Sequence, residues 1–114
     1  MTVKKRMGFI LKNVREMRGF SQQYVANELR KTQNAVYNWE LGRTSPPADD
    51  VISICRLLDI TPNQLFGWDP CKELSDYLNA KDAIDDLDKQ IAELQEKRAI
   101  ILKKRNDIAH SIKP

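Results

Sequence analysis

Between the breaker run Gly67-Trp68-Asp69-Pro70 and Pro114 the chain contains neither glycine nor proline, and the intervening residues are helix formers throughout. That composition predicts one long helix, roughly 60 Å from end to end if unbroken at 1.5 Å per residue. No segment alternates apolar and polar residues as a strand does, and no internal repeat is present. The predicted class is therefore all-α: a compact helical domain over residues 1–68, followed by a helical tail over 69–114.

Shorter helices are expected before the breaker run. Met7, Leu11 and Val14 recur at helical spacing, and Gly19 stands where a helix-ending residue takes up a left-handed backbone. Ser21 is placed to cap a second helix with Val25, Ala26 and Leu29 on one face, and Thr32 to cap a third in which Val36 and Trp39 point inward. Gly42 closes the third, and Ser45-Pro46-Pro47 marks a loop. Asp49 and Asp50 put negative charge in the first turn of a fourth helix, and Thr61-Pro62 opens a fifth that ends at Leu65-Phe66-Gly67.

Composition bounds what so small an assembly does. At 114 residues, 41% hydrophobic and 31% charged, the chain suffices for one small domain and an appendage but not for the buried cleft of a typical enzyme. The formal net charge of +3 is unevenly shared: Met1 to Trp68 carries 10 Lys+Arg against 6 Asp+Glu, and Asp69 to Pro114 carries 9 against 10. The basic excess lies in the first segment, where a polyanion would bind. Cys55 and Cys71 form no C-x-x-C pair and His110 is the sole histidine, so no zinc cluster, metal site or disulfide framework is expected. No stretch approaches the roughly 18 apolar residues of a membrane span, and Met1 to Arg6 leads into no apolar signal core. The expected location is cytoplasmic, with no membrane association.

The segment Phe20-Ser-Gln-Gln-Tyr-Val-Ala-Asn-Glu-Leu-Arg-Lys-Thr-Gln-Asn-Ala-Val-Tyr-Asn-Trp-Glu-Leu-Gly-Arg43 resembles the lambda-repressor-like (Cro/XRE) helix-turn-helix family, and the likeness runs from about Met7 to Phe66. The motif needs a small residue where its two helices cross, here Ala26, and a β-branched residue facing it, here Val36. The resemblance implies a five-helix DNA-binding domain. It also implies a partly buried ion pair between Arg15 and Glu40. The family usually has glycine at Arg30, in the left-handed turn, and an apolar residue at Lys31. At these two positions the chain departs, and the Lys31 stem is expected to lie over the core with its ammonium in water.

With Val36 and Trp39 facing inward, Gln33, Asn34, Tyr37 and Asn38 occupy the outer face of the third helix and are the candidate base readers. Gln and Asn amides suit the task because they donate to N7 and accept from N6 of adenine in a bidentate pair. Gln33 and Asn34, at the helix N-terminus, are the leading pair. Gln22 matches a phosphate-contacting position of the family, at a helix N-terminus whose amides attract anions. Arg43, Thr44 and Ser45 follow as further phosphate contacts. Lys4, Lys5 and Arg6 form a short basic arm, a secondary candidate for a neighbouring groove.

A heptad can be laid on the tail with Tyr77, Ile84, Ile91, Arg98, Arg105 and Ile112 at a, and Ala80, Leu87, Leu94, Ile101 and Ile108 at d. So narrow an apolar seam is expected to pair with a second copy as a coiled coil. A homodimer would read two half-sites of a palindromic operator about 34 Å apart. Asp69 to Asp88 holds 7 acidic residues against 2 basic, and Lys97 to Pro114 holds 6 basic against 1 acidic, a polarity that favours antiparallel pairing. An antiparallel coil, however, would splay the reading heads, and both orientations stand open. A helix break around Asn79 to Asp82, with Asp82 as a new cap, would instead let the tail fold back onto Phe9 and Ile10.

The expected function is that of a sequence-specific double-stranded-DNA-binding transcriptional regulator, a repressor by family resemblance, acting as a homodimer. A different class is an antitoxin or scaffold-type interaction protein whose tail grips another protein. Enzymatic activity is not expected, since His110 has no nucleophile partner and no Gly-rich phosphate loop precedes a helix. No cofactor or small-molecule ligand is evident.

Overall fold

The computed structural model describes residues 2–111 and is all-helical over them. Six helices follow in order: α1 (Val3–Met17), α2 (Gln22–Leu29), α3 (Gln33–Glu40), α4 (Ala48–Leu58), α5 (Pro62–Leu65) and α6 (Lys72–Ser111). No strand occurs among the described residues, as the absence of alternation required.

The first five helices start and stop on local chemistry. The side chains of Thr2, Ser21, Thr32 and Thr61 each accept a hydrogen bond from a backbone N–H three residues on, that of Lys5, Tyr24, Ala35 and Gln64. Each satisfies a donor that the first helical turn leaves open. Gln64 returns the bond to the Thr61 N–H, completing a capping box behind Pro62. Only α4 starts without a side-chain cap, on Pro47, and there Asp49 and Asp50 bring negative charge to the helix N-terminus.

All five helices end the same way. Gly19, Arg30, Gly42, Asp59 and Gly67 adopt positive φ. The next residue's N–H then reaches back five positions: Phe20 to Arg15, Lys31 to Ala26, Arg43 to Asn38, Ile60 to Cys55 and Trp68 to Asn63, at 2.8–3.1 Å. This is the closing bond that satisfies otherwise open carbonyls at a helix C-terminus. Glycine takes the left-handed backbone without strain at three of the stops, whereas Arg30 and Asp59 hold it with a side chain attached.

The chain divides into two units between Tyr77 and Leu78. In the first, Leu11, Val14, Val25, Ala26, Val36, Ile54, Leu58 and Leu65 are sealed from solvent. α3 packs on α1 and α2, α2 on α4, and α5 on α4 and α1. Burial also pushes the Cys55 thiol pKa up. The start of α6 belongs to this unit. Leu74 is buried, and Arg18, the C-cap of α1, donates through Nε to the Leu58 carbonyl (2.8 Å) and pairs with the Glu73 carboxylate. That carboxylate raises the Arg18 pKa.

In the second unit α6 runs on without interruption to Ser111 as the long helix predicted from composition, without the alternative break around Asn79 to Asp82. Nothing in that stretch forbids helical φ and ψ, and the charge of Asp82 is solvated on an exposed face. Ile84, Leu87, Ile91, Leu94 and Ile101 are each 50–65% exposed. Ile112, the last position of the heptad, lies outside the described residues. No described helix is long and apolar enough to cross a membrane, and no cluster of three or more His, Cys, Asp or Glu side chains suited to a metal ion occurs among the described residues.

Candidate nucleic-acid interface

The position of α3 is fixed from three sides. Val36 and Trp39 are buried. Ala26 on α2 is fully buried like Val36, and α2 packs on α3, consistent with the small-against-branched pairing that lets two helix axes approach closely. On the α1 side the spacing element is Gly8. A Cβ there would lie 2.4 Å from the Trp39 carbonyl oxygen and 2.7 Å from that of Glu40, so α1 and the end of α3 meet backbone to backbone.

A buried ion pair adds direction to this packing. Arg15 Nε donates to Glu40 Oε2 (2.6 Å), its NH2 donates to Oε1 (3.0 Å), and its NH1 donates to the Phe20 carbonyl (2.7 Å). The fork-to-carboxylate geometry is the strong bidentate form of this bond, and the Glu40 bond raises the Arg15 pKa. The pair implied by the resemblance is therefore present. Gln22 joins it, with Nε2 donating to Glu40 Oε1 at 2.9 Å. The carboxylate dictates that the amide nitrogen, not the oxygen, faces it. That nitrogen carries a second hydrogen, which stays available to an outside acceptor.

Gln33, Asn34 and Tyr37 are exposed, and together with half-buried Gln22 they line one open depression on the outer face of α3. Asn38 lies lower on the same helix, half-buried, and its Oδ1 accepts from Arg43 NH1 at 3.5 Å. Arg43, Thr44 and Ser45 are exposed in the loop that follows, and Pro46 behind them is buried. The sequence-predicted base readers thus share one face, with Gln22 at one flank and the Arg43–Ser45 loop at the other.

Two expectations change. Lys4, Lys5 and Arg6 form no arm, because Thr2 caps α1 and winds all three into its first turns. The Lys31 ammonium does not stand free in water. Its Nζ lies 3.1 Å from Asp50 Oδ2, an ion pair without hydrogen-bond alignment, since that buried oxygen has no hydrogen-bond partner. The pair ties the turn between α2 and α3 to the first turn of α4. From the sequence alone Asp50 reads only as negative charge at the start of α4. Neither Asp50 nor the Gln22 bond to Glu40 is marked by local spacing, because both depend on how distant turns are brought together. Gly8 did carry a signal: glycine inside a helix costs about 1 kcal/mol relative to alanine, so its presence points to a close approach.

Comparison with known proteins places this arrangement. Residues 8–67 match the family described as a helix-turn-helix domain. Among solved structures, a crystal structure of the clp gene regulator ClgR from Corynebacterium glutamicum superposes with a TM-score of 0.56 at 18% identity, covering 78% of this chain and 89% of that one. A second structure of ClgR gives a TM-score of 0.54 at 17% identity, over 68% and 94% of the two chains. At such identities the likeness is one of fold. No curated protein sequence matches the chain significantly.

Proposed function

The chain belongs to the helix-turn-helix domain family, and from that premise we propose that it is a sequence-specific double-stranded-DNA-binding transcriptional regulator, a repressor that acts as a homodimer on a palindromic operator. The observation that carries the reading is the depression shared by Gln22, Gln33, Asn34 and Tyr37 on the outer face of a helix whose inner face is locked by Val36, Trp39 and the Arg15–Glu40 pair.

In this reading α3 enters the major groove N-terminus first. Gln33 and Asn34 pair their amides with base edges, adenine above all. Tyr37 packs on a thymine methyl or reaches a phosphate, and Asn38 contributes from the same face while steadied by Arg43. Gln22 offers its second amide hydrogen and the N-terminus of α2 to one phosphate, and Arg43, Thr44 and Ser45 hold the backbone beyond the other end of α3. The basic excess of the N-terminal part supplies the salt-dependent share of affinity. α6 supplies the second copy, through a coiled coil that doubles the contacts on a two-fold site.

Selection of bound duplexes from a random library at a stated salt concentration tests this directly. A two-fold motif is expected. On the selected duplex, Gln33→Ala and Asn34→Ala should each cost about 1–3 kcal/mol and relax specificity at one position. Arg43→Ala should weaken all sequences alike and reduce the salt slope by about one. Unchanged affinity in the double Gln33→Ala/Asn34→Ala chain would reject the base-reading assignment.

A further inference from the structure

The homodimer above leaves the direction of its two tails open, and the structure of α6 bears on it. Ile84, Leu87, Ile91, Leu94 and Ile101 form a stripe along a continuous helix, at spacings of three and four broken by Arg98, and each is half exposed or more. The charges along the same helix are segregated. Asp82, Asp85, Asp86 and Asp88 stand together with no base among them, and Lys97, Arg98, Lys103, Lys104 and Arg105 stand together with no acid among them. The stripe lies between and across the two blocks.

We propose that α6 pairs with α6 of a second copy in the antiparallel direction, with the two-fold axis between Ala92 and Glu93. This inference rests on the homodimer reading and deepens it. About this centre every a position meets a d position. Ile91 packs on Leu94 of the second copy and Ile84 on its Ile101, so of the six layers from 84 to 101 the central two and the outermost two are wholly apolar. Arg98 meets Leu87, along which its stem lies with the guanidinium beside Asp88. Arg105 meets Ala80, whose small side chain leaves room for the long stem. Along the axis the acidic block Asp82 to Asp88 comes level with the basic block Lys97 to Lys103 of the second copy, so opposite charges lie at the same height although Asp82 and Lys103 stand on the outer faces. One coincidence is unfavourable, Lys81 with Lys104.

The parallel alternative sets Arg98 against Arg98 and Arg105 against Arg105 inside the seam, and aligns both acidic blocks and both basic blocks. Paired helices lie about 8–10 Å apart, within about one Debye length at physiological salt, so these repulsions are only partly screened. The same two interruptions that spoil a parallel seam are accommodated by an antiparallel one, and charge complementarity selects the second copy as the occupant of the stripe.

Spin labels on the full chain test the direction. With Cys55→Ala and Cys71→Ser removing the native thiols, a nitroxide is attached to Asn79→Cys in one preparation and to Lys103→Cys in another. Both sites are exposed, off the a and d positions. At 1.5 Å per residue the antiparallel register puts the two labels about 40 Å apart at position 79 and about 30 Å apart at position 103. Those two distances, with dimeric mass in sedimentation, are the expected result. Distances under about 20 Å at both sites would overturn the direction while leaving the homodimer intact. Dimeric mass with distances matching neither register would overturn pairing through α6. Monomeric mass without dipolar coupling would instead reject the homodimer reading itself.

Discussion

Arg15 is a cation enclosed by protein, and its three acceptors, the two Glu40 oxygens and the Phe20 carbonyl, replace the water it gives up. Removing the Glu40 anion alone leaves that charge with only the Phe20 carbonyl and the more distant Glu16 carboxylate (3.7 Å), which costs about 3–5 kcal/mol or somewhat less, whereas removing both members with apolar residues of similar volume is often close to neutral. Glu40→Leu is therefore expected to lower urea-unfolding stability by that amount, and Arg15→Met/Glu40→Leu to recover most of it. Equal losses in the single and double variants would show that the ion pair is not what holds this corner. The pair was legible in the sequence through the family resemblance. Its third member was not, because Gln22 reads from the sequence only as a phosphate contact at a helix start, and only the folding of α1, α2 and α3 onto one another brings its amide to Glu40.

The helices themselves were legible wherever a turn residue announces its own backbone. Gly19, Gly42 and Gly67 mark three of the five stops, and Ser21, Thr32 and Thr61 mark three starts. Asp59 escaped notice because an aspartate after a helix reads as charge, although its φ is 56°. The alternative of a break near Asp82 is not realised for the converse reason: a capping residue type starts a helix only where the preceding turn has already stopped. Arg30 bears the same left-handed strain, about 1–2 kcal/mol, and glycine there would relieve it while adding roughly 0.4–1 kcal/mol of chain entropy to lose on folding. Arg30→Gly should consequently raise stability by about 0.5–1 kcal/mol, read from the denaturation midpoint. Gly8 is the opposite case, a helical position where a methyl group has nowhere to go. The Gly8→Ala chain gains helix propensity, but it must push α1 off the carbonyls of Trp39 and Glu40. A net loss of about 1–3 kcal/mol is expected, together with weaker operator binding, since α3 shifts with its support; a chain as stable as the parent would show that the two helices are not in backbone contact.

The chain comprises a small N-terminal unit, whose core includes Leu74, and a helix on which Ile84, Leu87, Ile91, Leu94 and Ile101 stay half exposed or more. A chain ending at Tyr77 keeps Leu74 and the Arg18–Glu73 pair, and is expected to unfold as cooperatively as the N-terminal unit of the full protein while sedimenting as a monomer. Ending it at Pro70 removes both, and should cost about 1.5–3 kcal/mol, the worth of a buried leucine. A Tyr77-terminated chain that remained dimeric would move the pairing surface out of α6. The all-helical class and the tail were legible from composition, because glycine and proline stop where the long helix begins. What composition did not reveal is that the first turns of that helix pack with the globular unit, for Leu74 lies in a stretch whose neighbours are all polar or acidic. Arg98 and Arg105 now acquire a meaning at this scale. By interrupting the stripe they would make the proposed pairing weaker than a wholly apolar seam would, so that the share of dimer would depend on chain concentration. Under the proposed function, operator occupancy would then rise more steeply than chain concentration, and replacing both arginines with leucine would flatten that response by tightening the pair.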